Sequence, residues 1–434
     1  MINRLEKRGA RLLASICAAG IGVLAQTAFA QDLHNEQQPK NFGGPDAPAN
    51  RIESDRVATD TLLQLDGLQS WYAWKDALQS ERGLSFGLEY NATYLSTNDN
   101  LAGTDDHAAG GIFRFSGVWE AFARGSSNPG NVIFLVERTD EFTDTGPGSL
   151  LAESVGYIGI SNLPYNDEGW RLNTLYWDQK FEDGKYELVG GYLDISDYVD
   201  VFPLVSPWTD FFNYAHSIGA GALDLTNDGA LGFAGATWLT DSVYALAGFV
   251  DQKADATDPL DGFDTFFNDR EYFKHFEIGW TGASKEAYYL NNVHLTLWHS
   301  DERKELEIAD GWGGVLSLNH TIGEKWLGFV RTGWAEDSGS LLERSVSIGG
   351  GYTPGGMETL GGGDQLGFAL NWGRPNDTLF GQGVDDQYAT EIYYRWQLAD
   401  EIAITPSVQF LIDPALNPQY DTSWVFGVRT RFAI

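Results

Sequence analysis

Four things are scarce in this chain of 434 residues: cysteine, methionine, basic side chains and long apolar runs. The single cysteine, Cys17, excludes a fold stapled by disulfides, so stability must come from packing and backbone hydrogen bonds. Lys and Arg total 28 against 61 Asp and Glu, a formal charge of −33. That balance argues against nucleic acid as a partner, because phosphate contacts need cationic surface. After residue 30 no apolar run approaches the roughly 18 residues of a membrane-spanning helix. Chemistry-bearing motifs are missing too: there is no H-E-x-x-H, no G-x-x-x-x-G-K-[ST] and no G-x-S-x-G. The histidines (His34, His107, His216, His275, His294, His299 and His320) are scattered. The acidic stretch "DATDPLDGFD" clusters carboxylates without the spacing of a calcium loop. No catalytic residue, metal site or cofactor is read, and an enzyme is not expected.

What is present points elsewhere. Aromatics make up 14% of the chain and glycine is abundant at 51. The opening "MINRLEKRGARLLASICAAGIGVLAQTAFAQ" has a basic head (Arg4, Lys7, Arg8, Arg11), an apolar run and an Ala28-Phe29-Ala30 cleavage pattern. It reads as an export signal over residues 1–30. Its removal would take four basic residues and one acid, moving the net charge from −33 to −36. Residues 31–83 read as a periplasmic segment: a flexible polar lead-in, then a short amphipathic helix. In the helix Leu68, Trp71, Tyr72, Lys75 and Leu78 keep helical spacing and Gly83 supplies the C-terminal cap.

From Leu84 to the C-terminus (84–434) the side-chain period is two. In "SWVFGVRTRFAI", Trp424, Phe426, Val428 and Phe432 alternate with Ser423, Gly427, Arg429 and Arg431. A strand sends successive side chains to opposite faces, so this stretch has one oily and one polar face. The pattern recurs in "LSFGLEYNATY", "VHLTLWHS", "YATEIYYRWQL" and "IAITPSVQFLI". Apolar-out, polar-in segments of about 9–11 residues are what a transmembrane β-barrel requires. A secreted sandwich or solenoid would not carry Trp, Phe and Tyr outward on strand after strand.

Sixteen strands can be placed, near 84–95, 111–123, 131–138, 170–181, 185–194, 229–239, 242–251 and 271–282, and near 291–300, 311–322, 326–335, 343–352, 364–373, 387–398, 401–412 and 422–434. Even-numbered strands are mostly followed by tight turns such as "EDGK" and "LADE", odd-numbered ones by longer Asp-rich loops. Short turns on one rim and long loops on the other is how outer-membrane barrels are arranged. The fold class is therefore all-β, a transmembrane antiparallel barrel of about 16 strands. Eighteen remains open, because 154–161 could be a strand and 354–363 is long for a turn.

The inward-facing positions supply candidate pore-lining residues. Glu89, Arg114, Glu120, Glu391, Arg395, Arg429 and Arg431 give charge of both signs, and Trp298 and Tyr393 give rings. The connection 195–228 is too rich in Phe, Trp and Tyr for free solution, so it is expected to fold inward, with Asp197, Trp208 and Asp210 as candidates. Such a wall suits neutral solutes bearing hydroxyls: the planar Arg fork donates to adjacent oxygens and an aromatic ring meets a sugar face. Each candidate equally fits a salt-bridge lattice that only stiffens the wall. The orientation of 131–138, 170–181 and 326–335, and so of Trp177 and Arg331, is open.

Several stretches carry a likeness: "LYWDQKF" leading to "GGYLDISDYVDVF", "WLTDSVYALAGFVDQKADATDP", "YFKHFEIGWTG", "LNWGRPND" and above all "DQYATEIYYRWQLADEIAITPSVQFLIDPALNP". Over roughly 70–434 the chain resembles the carbohydrate-selective porin family of the OprB type. The resemblance implies a sixteen-stranded channel of the bacterial outer membrane that passes sugars by facilitated diffusion through a charged and aromatic narrowing. Its partners would be sugar solutes and the surrounding lipid and lipopolysaccharide, as a monomer or homotrimer. Such barrels usually end in an aromatic residue, whereas here Ala433-Ile434 follow Phe432. Two alternatives stay open: a general diffusion pore with cation preference from the acidic excess, and a plugged surface or adhesion barrel without transport.

Overall fold

The computed structural model describes residues 42–57, 59, 61–162, 165–226 and 229–434; the expected export signal lies outside them. Sixteen antiparallel strands close into one barrel. They are β1 (Leu84–Thr97), β2 (His107–Phe122), β3 (Gly130–Glu141), β4 (Gly169–Phe181), β5 (Tyr186–Leu193), β6 (Ala230–Trp238), β7 (Val243–Asp251) and β8 (Tyr272–Thr281). The ring continues with β9 (Asn292–Ser300), β10 (Gly311–Ile322), β11 (Trp326–Asp337), β12 (Leu342–Tyr352), β13 (Gln365–Pro375), β14 (Gln387–Ala399), β15 (Ile402–Ile412) and β16 (Thr422–Ala433). Every strand pairs with its sequence neighbours, and β16 returns to β1 with Glu89 opposite Ala433 and Thr97 opposite Val425. Closure leaves no unpaired sheet edge, the condition for a sheet to sit in hydrocarbon. The count of sixteen settles the alternative of eighteen: 154–161 forms no strand, being the end of a short helical turn, Leu150–Val155, followed by loop, and 354–363 is a turn containing a short 3₁₀ helix, Met357–Thr359.

The two faces separate as the alternation requires. In β16 exposure switches at every residue: Trp424, Phe426, Val428 and Phe432 point out, while Arg429 and Arg431 are buried inside. Around the barrel the exposed residues sort by height. Trp119, Trp280, Trp326 and Trp396 stand near the short-turn rim; Tyr94, Trp170, Trp312, Tyr388 and Trp424 stand near the long-loop rim. Leu297, Ile348, Phe368, Ile392 and Val428 lie between. Two aromatic girdles flanking an aliphatic belt match the polarity profile of a bilayer. Trp177 belongs to this outer face and Arg331 to the lumen, which resolves the open orientations.

Among the described residues two α-helices precede the barrel. α1 (Pro48–Ser54) starts on a proline, whose fixed φ suits a first turn. α2 (Gln69–Arg82) ends where Gly83 takes a left-handed φ of 72° and returns its N–H to the Gln79 carbonyl. α2 lies against the outside of β1 at the short-turn rim. Trp71 and Trp74 each meet Phe86 edge-on, with ring centroids 5.7 Å apart, and Tyr72 donates to Glu401 at 2.8 Å.

Candidate functional site

A barrel of sixteen strands is wide enough to leave an aqueous channel. Here the bore is partly filled by the chain itself. The connection between β5 and β6, residues 194–229, turns inward and is buried along most of its length; Phe202, Phe211 and Phe212 are nearly inaccessible. It starts with Asp194 capping a 3₁₀ turn through the Ser196 N–H. Beyond that it has little regular structure of its own, so its buried backbone groups need partners from outside.

The wall provides them. Glu391 accepts from the backbone N–H groups of Phe212 and Asn213, at 2.8 and 2.9 Å. Arg429 donates to the carbonyls of Pro207 and Asp210, at 2.6 and 2.8 Å, with its guanidinium over the Phe212 ring. Tyr393 donates to Asp210 at 3.1 Å, and Arg395 donates to the Thr209 carbonyl at 3.5 Å and to the Gly363 carbonyl of the β12–β13 turn at 2.8 Å. Arg331 pairs with Asp200 and reaches the Ser217 carbonyl, while His294 holds the other Asp200 oxygen at 2.9 Å. Burial raises the Asp200 carboxyl, but Arg331 and the His294 hydrogen bond outweigh it and hold the group below its ordinary value. Asp210 lacks such compensation: burial pushes it up to about 6, with Arg395 pulling the other way.

A second charged system runs over β1–β4. Glu137 bridges Arg114 at 2.7 Å and Arg171 at 2.8 Å. Glu89 is held by Arg431 at 2.8 Å and faces Arg51 at 3.6 Å and Arg114 at 3.9 Å. The Arg114 guanidinium stacks over Trp208, 4.1 Å from the ring centroid. Above this pair lies a cavity of about 540 Å³, bordered by Arg171, Asn173, Asp194 and Asp197 and, higher up, by Lys253, Glu271, Arg303 and Glu305. It is the vestibule of the long-loop side.

The sequence candidates thus divide. Arg114, Trp208 and Asp197 border the vestibule. Glu89 and Arg431 form the ion pair that strand closure suggested, across the β1–β16 seam. Glu391, Tyr393, Arg395 and Arg429 are inward as expected, but they grip the infolded connection. Trp298 is also inward, yet it is packed in an apolar cluster, stacked on Phe273 at 6.1 Å. Glu120 departs furthest: it sits at the short-turn rim, beside Gly83, facing Arg124 at 3.4 Å. Its parity is inward, but its height puts it below the narrowing.

Sequence reasoning missed Glu137, Arg171 and Asp200 and left the facing of Arg331 open. A signal existed, since a charge in mid-strand has a tolerable home only on the lumen side, so Glu137 and Arg331 themselves fix the parity of β3 and β11. It also missed Asp46 and Arg51. The lead-in expected to be flexible is, from Phe42 onward, packed inside the barrel.

Comparison with known proteins agrees with this geometry. The profile of the carbohydrate-selective porin, OprB family, matches residues 69–306 and 323–434. Porin AaxA of Chlamydia felis is 25% identical over 196 residues, a match spanning 45% of this chain and 43% of that porin. The high-pH structure of Pseudomonas putida OprB superposes with a TM-score of 0.64 at 13% identity, covering 84% of this chain and 97% of that one. At that identity the superposition speaks for the fold alone. A closed barrel with bilayer-matched girdles, a charged lumen and a family match over most of its length places the chain in the bacterial outer membrane, as a member of the carbohydrate-selective porin family.

Proposed function

We propose that the protein passes carbohydrates across the outer membrane by facilitated, passive diffusion, with no energy source and no cofactor. The observation that supports this most directly is the floor of the vestibule, where a guanidinium, an indole and carboxylates converge: Arg114 over Trp208, with Asp46 and Asp197 beside them. A sugar presents donor and acceptor hydroxyls around a weakly apolar ring, and this floor offers partners for both without a single dominant charge. Conduction needs binding that favours entry and still allows release, and mixed, mutually neutralised groups suit that better than an unpaired charge. The lipid-facing girdles fit phospholipid on the short-turn side and lipopolysaccharide on the other.

The test is solute entry into proteoliposomes, comparing neutral mono- and disaccharides with amino acids and small cations of matched size. Saturable preference for sugars, reduced in Trp208→Leu while cation entry is unchanged, is the expected result. Entry ranked by size and charge alone, equal in the variant, would replace this reading with a general cation-preferring pore. The infolded lumen also favours a second reading, a surface barrel without transport; absence of any solute-dependent entry would select it.

A further inference from the structure

The vestibule ends on Asp46, and what lies beneath it is the chain's own N-terminal segment. From Phe42 to Asp55 the backbone crosses the bore near the short-turn rim. At one side Phe42 is wedged among Trp238 of β6, Tyr244 of β7 and Tyr288, with centroids 5.3, 6.1 and 5.9 Å away, and its N–H donates to Glu187 of β5. In mid-bore the Gly44 N–H donates to the Asp197 carbonyl at 2.7 Å, and Ser206 donates to Asp46 at 2.6 Å. At the other side Arg51 faces Glu89 of β1, and Arg431 of β16 donates to Asp55 at 2.8 Å. Asn50 folds back onto the carbonyls of Gly43 and Gly44, at 3.0 and 2.9 Å, which keeps the segment compact. Beside Phe42, Gly43 and Ala47 a cavity of about 30 Å³ has room for one or two waters.

We propose that residues 42–57 are a displaceable plug: this conformation is the closed state of the channel, and solute crosses when the segment withdraws from the bore. Its seat is built for release. The segment is held by hydrogen bonds and ion pairs that water can replace, and its large buried apolar anchors are Phe42 and Ile52. Close approach in mid-bore depends on Gly44, where a Cβ would stand 2.7 Å from the Val201 Cβ. The C-terminal end is tethered: the Leu63 N–H binds the Leu398 carbonyl, and α2 is docked outside the barrel, so the segment leaves the bore without leaving the protein.

Planar-bilayer conductance in potassium chloride tests this, and it does not depend on which solute is physiological. Deleting 42–57 should raise single-channel conductance several-fold. A deletion variant conducting like the wild type would overturn the proposal. A variant that leaves the chain intact guards against misfolding. The Cβ of Ser54 lies 3.5 Å from the Cβ position of Gly361 on the β12–β13 turn, within disulfide range. Ser54→Cys with Gly361→Cys, in a Cys17→Ser background, should be closed when oxidised and recover conductance on reduction. High conductance in both redox states, with the cross-link verified, would equally sink the idea.

Discussion

The inner wall of this barrel has two unlike sectors. Across β6–β10 the inward face carries an apolar cluster, Trp238, Tyr244, Leu246, Val250, Phe273, Trp298 and Val315, set beside buried polar residues such as His275, Glu277, His294 and Thr296. Across β14–β16 and β1–β4 charged and amide-bearing residues are denser, Glu391, Arg395, Arg429, Arg431, Glu89, Asn91, Arg114, Glu137 and Arg171 among them, with a smaller apolar cluster around Leu95, Leu411 and Val425. The same strand geometry builds both, so the difference records what each sector faces. The apolar sector meets protein, with Phe42, Val199, Val201 and Leu223 packed on it. The charged sector either supplies hydrogen bonds to infolded backbone or borders the vestibule. Polar inward residues thus serve water and infolded backbone alike, whereas a cluster of inward aromatics marks where apolar side chains of the chain fill the barrel.

The comparison can be broken at its strongest joint first. Asp200→Ala leaves Arg331 buried and unpaired, a loss of about 3–5 kcal/mol. The 194–229 connection should become protease-sensitive while the barrel keeps its heat-resistant mobility on gels. Phe42→Ala removes the aromatic wedge from the apolar sector and should weaken seating of the N-terminal segment by about 3 kcal/mol. Amide exchange of residues 43–57 would show it, with the charged sector unchanged. Acid sharpens the contrast. The Asp200 carboxyl is lowered in the folded protein, so its contribution is full above the ordinary value of 3.8 and is lost as pH falls through the lower folded value. Pepsin cleavage within 194–229 should therefore appear only below about pH 3.8 in wild type, and at higher pH in Asp200→Asn. The smallest effect is expected outside: Trp74→Ala on the half-exposed face of α2 should cost under about 1 kcal/mol and leave conductance alone.

The strands were legible in the sequence because lipid enforces a period of two, which survives in "LSFGLEYNATY" and "SWVFGVRTRFAI" without any alignment. Loop parity, the α2 helix with its Gly83 cap, and the inward fold of the aromatic connection were legible for similar local reasons. The roles of the lumen residues were not. That Arg429 binds the Pro207 carbonyl, or Glu391 the Asn213 amide, depends on contacts some 180–220 positions apart, and side-chain type alone cannot separate a solute ligand from a backbone clamp. Phe42–Asp55 was hidden for a related reason. Its Pro, Asn and Gly content resembles a linker, because the order it has comes from the wall around it and not from a pattern within it.

The seam between β1 and β16 sets a timetable for assembly. Arg431 reaches Asp55 and Glu89 only from a strand that must travel the whole circumference to find its partner. Until that last pairing zips, the seat for Asp55 does not exist, and Glu89 lacks its principal counter-ion. The Asp55 end of the N-terminal segment therefore gains its seat only with closure of the barrel.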